Sequence, residues 1–279
     1  MTKSREKLLI LSIVALVASA MLFLAYSLYH RIHSSNSAPK IFCATDVIYA
    51  DVNATNEELL IGVSAVDAED GDLTSSVVIG SISSFIGEGK CEITYAVFDS
   101  GNKVATATRQ VHYTNYHSPR FVLADDLLYY TSELINPLKS IRAVDCFDGD
   151  LTNRISMSWV ESETDQRTVE FQVTNSRGDI STLVADVAVV EKTSQLVPEI
   201  VLSDYLVYLD SGTMFDPLDY IKSITVSKKI YTLSEYGSDK LHFDFSGFDR
   251  SVPGTYKITI FCDNGDAVGS AELIVIVED

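Results

Sequence analysis

The chain of 279 residues is 46% hydrophobic and 22% charged, the balance of a folded protein rather than a disordered one. Lys and Arg total 21 against 39 Asp and Glu, a formal net charge of -18. Residues 1–34 carry Lys3, Arg5, Lys7 and Arg31 against Glu6, three positive charges net, which leaves 21 negative charges on residues 35–279. That surface repels phosphate backbones and excludes nucleic acid as a partner. Divalent cations, basic partners and neutral ligands remain.

Leu8 to Tyr29 is a run of 22 residues without a formal charge. As a helix it is roughly 33 Å long, enough to cross a hydrocarbon core of about 30 Å. Three basic residues precede it and only Arg31 closely follows, so the positive-inside rule predicts a cytoplasmic N-terminus and an exported remainder. Ala18-Ser19-Ala20 also fits a signal-peptidase site, but the apolar run continues past it through Met21-Leu22-Phe23-Leu24-Ala25, which favours an uncleaved anchor. Residues 30–39 are short, polar and Ser-rich, and read as a stalk.

The rest of the chain repeats. Pro39-Lys-Ile-Phe-Cys-Ala-Thr-Asp46, Pro119-Arg-Phe-Val-Leu-Ala-Asp125 and Pro198-Glu-Ile-Val-Leu-Ser-Asp204 open three copies spaced 80 and 79 residues apart. Val66–Thr74 and Val144–Thr152 agree at seven of nine positions around Asp-Gly-Asp-Leu-Thr. Each copy closes on a turn, at Asp99-Ser-Gly101, Asn175-Ser-Arg-Gly178 and Asp263-Asn-Gly265, followed by alternating runs such as Leu183, Ala185, Val187 and Val189. Alternation with a period of two between such turns predicts antiparallel hairpins, about seven strands per copy, and no helix outside the anchor.

These motifs resemble the bacterial Ig-like domain of pesticidal crystal proteins, which is related to hyalin-repeat and cadherin-like modules. The first copy matches through Ala65–Thr74 and Glu92–Asn102; the second keeps the Asp-Gly-Asp loop. The third has Ser227-Lys228-Lys229 where the acids would fall, yet keeps Pro253-Gly-Thr-Tyr256. The resemblance implies an Ig-like fold and cell-surface placement with no particular ligand; with the repeats and the apolar run, the expectation is an all-β chain of three tandem Ig-like β-sandwiches behind one transmembrane helix. The expected divisions are 1–34 for the tip, anchor and start of the stalk, then 35–115, 116–192 and a divergent 193–279.

The acidic loops are the candidate cation sites. Asp67, Glu69, Asp70 and Asp72, and then Asp145, Asp148 and Asp150, crowd carboxylates in a way that suits calcium, although the order is not that of an EF-hand. The same residues also read as a turn, with Gly supplying positive φ and Asp bonding local amides. Cys43 and Cys91 are candidates for a disulfide in an exported chain, whereas Cys146 and Cys262 read as small buried side chains.

No Gly-x-Ser-x-Gly, His-Glu-x-x-His or P-loop motif occurs, and His30, His33, His112, His117 and His242 sit in no nucleophile setting. The chain therefore reads as non-catalytic and without a cofactor. Tyr129, Tyr130, Tyr205, Tyr208, Tyr220, Tyr231 and Tyr236 are either strand aromatics or a sugar-stacking face, and the third copy is the expected binding tip. Two functions are expected to compete: adhesion to an envelope polysaccharide, matrix or surface protein, and a spacer within an envelope assembly. An exposed aromatic patch on one copy distinguishes the first; a uniformly polar surface distinguishes the second.

Overall fold

The structure is a computed structural model that describes residues 2–33, 37–161, 167–191 and 196–279. Part of the stalk, at 34–36, and part of the expected joint between the second and third copies, at 192–195, lie outside the described residues. The N-terminal helix α1 spans Thr2–His33. Within it Leu9–Tyr29 has a mean hydropathy of 2.5 and none of its surface is covered by the rest of the chain, so it is long and apolar enough to cross a membrane. A signal sequence meets the same description.

After the stalk the described residues form six sheets, which make three sandwich-like domains of seven strands each. The first sandwich contains β1 (Lys40–Cys43), β2 (Val47–Ala50), the single turn α2 (Asn56–Leu59), β3 (Val63–Asp67), β4 (Gly71–Asp72), β5 (Val78–Ile82), β6 (Lys90–Phe98) and β7 (Val104–Tyr113). Its sheets run β1-β3-β4 and β2-β7-β6-β5. The second repeats the plan with β8 (Arg120–Leu123), β9 (Leu128–Tyr130), β10 (Ile141–Asp145), β11 (Gly149–Asp150), β12 (Ser156–Val160), β13 (Arg167–Thr174) and β14 (Ile180–Val190), in sheets β11-β10-β8 and β12-β13-β14-β9. The third has β15 (Glu199–Leu202), β16 (Leu206–Asp210), β17 (Ile221–Val226), β18 (Lys229–Tyr231), the turn α3 (Leu233–Tyr236), β19 (Leu241–Asp244), β20 (Gly254–Asp263) and β21 (Val268–Glu278). These pair as β15-β17-β18 and β16-β21-β20-β19.

The expected hairpins are present: β6–β7, β13–β14 and β20–β21 are antiparallel, with alternate residues buried. Two features were not expected. In each copy the chain pairs one short strand with the first sheet, steps across, and lays the next strand parallel to the last one: β2 on β7, β9 on β14, β16 on β21. Strands of three to five residues whose partners lie some sixty positions away leave no periodic signal. The helical turns α2 and α3 are also new. Each is held by a capping box, Thr55 with Glu58 and Thr232 with Glu235, and one turn is too short to show a helical period.

By contact density the chain divides into two compact units, one comprising residues up to Ser83 with Lys90–Thr114, the other Ser84–Gly89 with Asn115–Asp279. In the first, Ala65, Cys91, Ile93, Tyr95, Val97 and Val111 form the core. Beside them lies a buried cation. Arg109, only 3% exposed, donates to the carbonyls of Leu59 (2.8 Å) and Ile61 (2.9 Å) and to the Tyr95 hydroxyl, and so holds the end of α2 to the sheet.

In the second unit one continuous core runs through both sandwiches, from Phe121 and Phe171 to Ile258 and Leu273. Backbone bonds cross the seam. The Tyr205 amide donates to the Leu123 carbonyl (3.2 Å), and the Tyr205 carbonyl accepts from the Ile274 amide (2.9 Å). The Tyr208 hydroxyl accepts from the Phe121 amide at 2.8 Å, and burial pushes its pKa up to about 12. Arg120 lies over the Tyr208 ring and pairs with Glu278. Gly269 permits a further close approach, since a Cβ there would sit 1.8 Å from the Pro198 carbonyl oxygen.

Replacing Tyr208 with Phe leaves the Phe121 amide buried without its acceptor. Urea unfolding of the full chain in non-ionic detergent is expected to show a loss of about 1–3 kcal/mol. An unchanged midpoint would show that the seam does not depend on this bond.

Candidate functional site

The acidic loops are built as turns. In the first copy Asp67 Oδ1 accepts from the amides of Glu69 (2.8 Å) and Asp70 (3.0 Å), and Asp72 Oδ1 from that of Thr74 (2.9 Å). The second copy repeats this atom for atom: Asp145 Oδ1 takes the amides of Phe147 and Asp148, and Asp150 Oδ1 takes that of Thr152. Gly71 and Gly149 sit at φ 74° and 69°, the left-handed region that a side chain disfavours. The Thr74 and Thr152 hydroxyls accept from the amides of Ala65 and Ala143.

The loops also grip the closing turn of their own copy. Asp70 accepts from the amide (2.6 Å) and the hydroxyl (2.8 Å) of Ser100, and Asp148 from the amide of Ser176 (2.6 Å) and from Arg154. Asp145, buried, also accepts from Asn175 Nδ2 at 3.0 Å. The two motifs that repeat most clearly along the chain thus bond to each other in the first two copies. Glu69 is exposed, and among the described residues no group of three or more His, Cys, Asp or Glu side chains is arranged to hold a metal ion. In the third copy Ser227 and Lys228, at φ 50° and 69°, make the tight turn between β17 and β18 without acids.

Cys43 is half-buried on β1 and Cys91 buried on β6, on the two facing sheets of the first sandwich, and the structure forms no disulfide between them. Cys262 is buried on β20; Cys146 is half-buried and its thiol donates to the His117 carbonyl at 3.5 Å.

The seven tyrosines considered as a stacking face do not form one. Tyr205 and Tyr236 are buried, Tyr129, Tyr208, Tyr220 and Tyr231 are half-buried against the core, and Tyr130 is half-buried on β9. Rings of the third sandwich, mostly phenylalanines, do form a connected run. A connected run of rings goes from Tyr220 to Phe215 (5.7 Å, stacked), Phe248 (5.5 Å), Phe245 (6.2 Å) and Phe243 (6.1 Å), with Tyr256 edge-on to Phe248 at 5.5 Å. The inner rings rest on the core, while Phe245 is 43% exposed and Met214, next to Phe215 in the chain, 80% exposed.

Local turns hold the run in place. Asp244 accepts from the Ser246 amide (2.9 Å), the Phe248 amide donates to the Phe245 carbonyl (2.9 Å), and the Tyr256 hydroxyl donates to the Val252 carbonyl (2.8 Å). Arg250 reaches the Met214 sulfur at 2.9 Å and sets a cation at the rim. The spacing Phe243-x-Phe245-x-x-Phe248, a strand alternation running into a turn, is the sequence signal for this surface.

A cavity of about 330 Å³ opens at the seam of the second unit. Leu127, Leu128, Ala188 and Ile274 give it apolar walls, and Asp126, Asp186, Lys257 and Glu272 supply charge. Lys257 Nζ lies 2.5 Å from Asp186 Oδ2 and 3.4 Å from Glu272 Oε1. Burial raises the Asp126 carboxyl to about 6, against a bond from the Leu128 amide that favours the charged form and with help from nearby Asp125 and Glu199.

The turn acids make a pH prediction. The Thr74 hydroxyl and amide hold Asp72 below the usual carboxylate range, as those of Thr152 hold Asp150, and the amides of Asp70 and Glu69 do the same for Asp67. A depressed native pKa adds stability above the ordinary value of about 4 and loses it as pH falls through the native value. The melting temperature of the full chain should therefore drop below about pH 4, and less steeply in D72N/D150N. Identical acid limbs would show that these bonds do not form in solution.

No protein-family model matches the chain. An uncharacterized 81.3 kDa protein of Acholeplasma phage L2 is 26% identical over 163 residues, covering 55% of this chain and 21% of the phage protein, so the chain spans about a fifth of that relative's length. Similar solved structures include CBM51-2 in complex with GlcNAc and INT domains from Clostridium perfringens ZmpB, at 19% identity over 54% of this chain and 41% of that one, with a TM-score of 0.23. They also include human CDH23 EC21-23 (12% identity, 86% of this chain and 100% of that one, TM-score 0.22) and the protocadherin GammaB4 extracellular domain (11%, 88% and 50%, 0.21). At these scores the fold assignment rests on the chain's own sheets.

Proposed function

We propose that the chain is a non-catalytic, membrane-anchored binding protein of the bacterial cell surface. In this reading α1 stays in the membrane with its N-terminus in the cytoplasm, and Ig-like domains at 35–115, 116–192 and 193–279 are displayed outside. The third domain carries the recognition surface for an envelope polysaccharide or surface protein. One observation carries the reading: the connected aromatic run from Phe215 to Phe245, with the Phe245 ring part-exposed at one end and the exposed Met214, held by Arg250, next to Phe215 at the other. A spacer with no ligand has no use for exposed rings held in place by their own turns, because apolar surface left in water favours association. Flat rings beside hydroxyl, carboxylate and guanidinium groups are the chemistry that stacks on sugar faces and anchors protein interfaces.

The test is co-sedimentation of the full chain in lipid nanodiscs with envelope material of its source cell, intact, after polysaccharide digestion and after protease treatment. Binding is expected, and F245A is expected to weaken it at least about tenfold. Loss on polysaccharide digestion identifies a glycan and loss only to protease a protein. Absence of binding, or equal binding by F245A, would contradict the assignment.

A further inference from the structure

The seam cavity is charged out of balance. Three of its lining carboxylates, Asp126, Asp186 and Glu272, face one ammonium, Lys257, and that ammonium is already engaged by Asp186 and Glu272. Asp186 is further tied by the Thr168 hydroxyl at 3.1 Å, which fixes the pair on the outer face of β14. Among the described residues Asp126 makes no ion pair; the charges acting on it are those of Asp125 and Glu199, both acidic, and its one noted donor is the Leu128 amide. Tyr205, buried beside it, is held by the Leu202 amide at 3.3 Å and adds no positive charge. A carboxylate placed in this way is short of a cation, and the walls of Leu127, Leu128, Ala188 and Ile274 have room for an aliphatic chain.

We propose that this cavity binds an alkylammonium group, its charge on Asp126 and its aliphatic stem along the apolar walls. Two sources share that chemistry, the lysine side chain of a partner protein and a free diamine. The excess of 21 negative charges on residues 35–279 draws either one toward the chain. The cavity shares Tyr256 with the aromatic run, but its carboxylate Asp126 and apolar walls are separate from Phe245, so the proposal stands whether or not that surface binds a glycan.

The native Asp126 pKa of about 6 makes binding pH-linked. The ammonium pairs with the carboxylate, so below about pH 6 each unit of acidification costs close to tenfold in affinity. The other titratable groups lining the cavity are Asp186, Glu272, Lys257, Tyr205 and Tyr256, and Asp125 and Glu199 act on Asp126 from nearby. For a carboxyl with a raised native pKa the sign for stability is opposite to that of the turn acids: its burden appears as pH rises from about 4 through 6. Removing the charge in D126N should therefore raise the melting temperature at pH 7, which separates lost binding from lost folding.

The experiment titrates the full chain, in non-ionic detergent at physiological salt, with 1,5-diaminopentane and with the peptide acetyl-Gly-Lys-Gly-amide by calorimetry. The peptide with norleucine in place of lysine serves as the neutral control. At least one amine is expected to bind, the norleucine peptide is not, and D126N is expected to lose at least about tenfold in affinity while melting higher. D239N, which removes an exposed acid elsewhere in the third sandwich, should bind like the parent chain. Binding of the lysine peptide alone names a protein partner, and binding of the diamine alone a small molecule. No binding by either amine, or equal loss in D126N and D239N, would overturn the proposal.

Discussion

Tyr205 is the residue on which the second unit turns. Its amide is given to Leu123 of the second sandwich, its carbonyl is taken by Ile274 of the third, and its ring is buried where the two meet. Buried backbone groups must be paired, so these two bonds lock the entry into β16 before that strand lies down beside β21. The core then continues without a break from Phe121 to Leu273, and the two sandwiches behave as one body rather than as beads on a linker. Tyr208 and the Arg120–Glu278 pair extend the same contact.

Function follows from what the seam and the turns leave over. The acids that make the chain so negative have several destinies. Asp67, Asp72, Asp145 and Asp150 are consumed as turn acceptors, and Asp70 and Asp148 clamp the closing turns. Asp126 accepts from the Leu128 amide but pairs with no cation among the described residues, and it sits in a cavity that exists only because two sandwiches share a seam. The aromatic residues divide in the same way. Tyrosines near the seam serve the core, whereas Phe245, on the way into a turn, packs on Phe243 and Phe248 and leaves 43% of its surface in water.

Much of this was legible in the residues. Three openings at Pro39, Pro119 and Pro198, alternating runs and Asp/Asn-Gly turns announce seven-stranded sandwiches, because a period of two and a turn are local properties of the chain. The turn reading of Asp-Gly-Asp-Leu-Thr was legible for the same reason. What escaped is non-local. The parallel pairs and the seam depend on residues that are distant in sequence, and the bond from Asp70 to Ser100 links two motifs that each look self-sufficient. The tyrosines mislead because an aromatic residue on a strand looks the same in sequence whether its face meets solvent or core. The phenylalanine surface shows only as a spacing around Phe245, and nothing in the sequence near Asp126 says that Lys257 will be committed to other acids.

The most direct measurement is native-state hydrogen exchange on the full chain in detergent, read at the seam amides of Tyr205 and Ile274 and at core amides of β13 and β20. If the sandwiches are one body, all of these exchange through the same opening, with one free energy and one denaturant dependence. Seam amides that exchange far faster than both cores, with separate openings for β13 and β20, would contradict it and return the two sandwiches to independence.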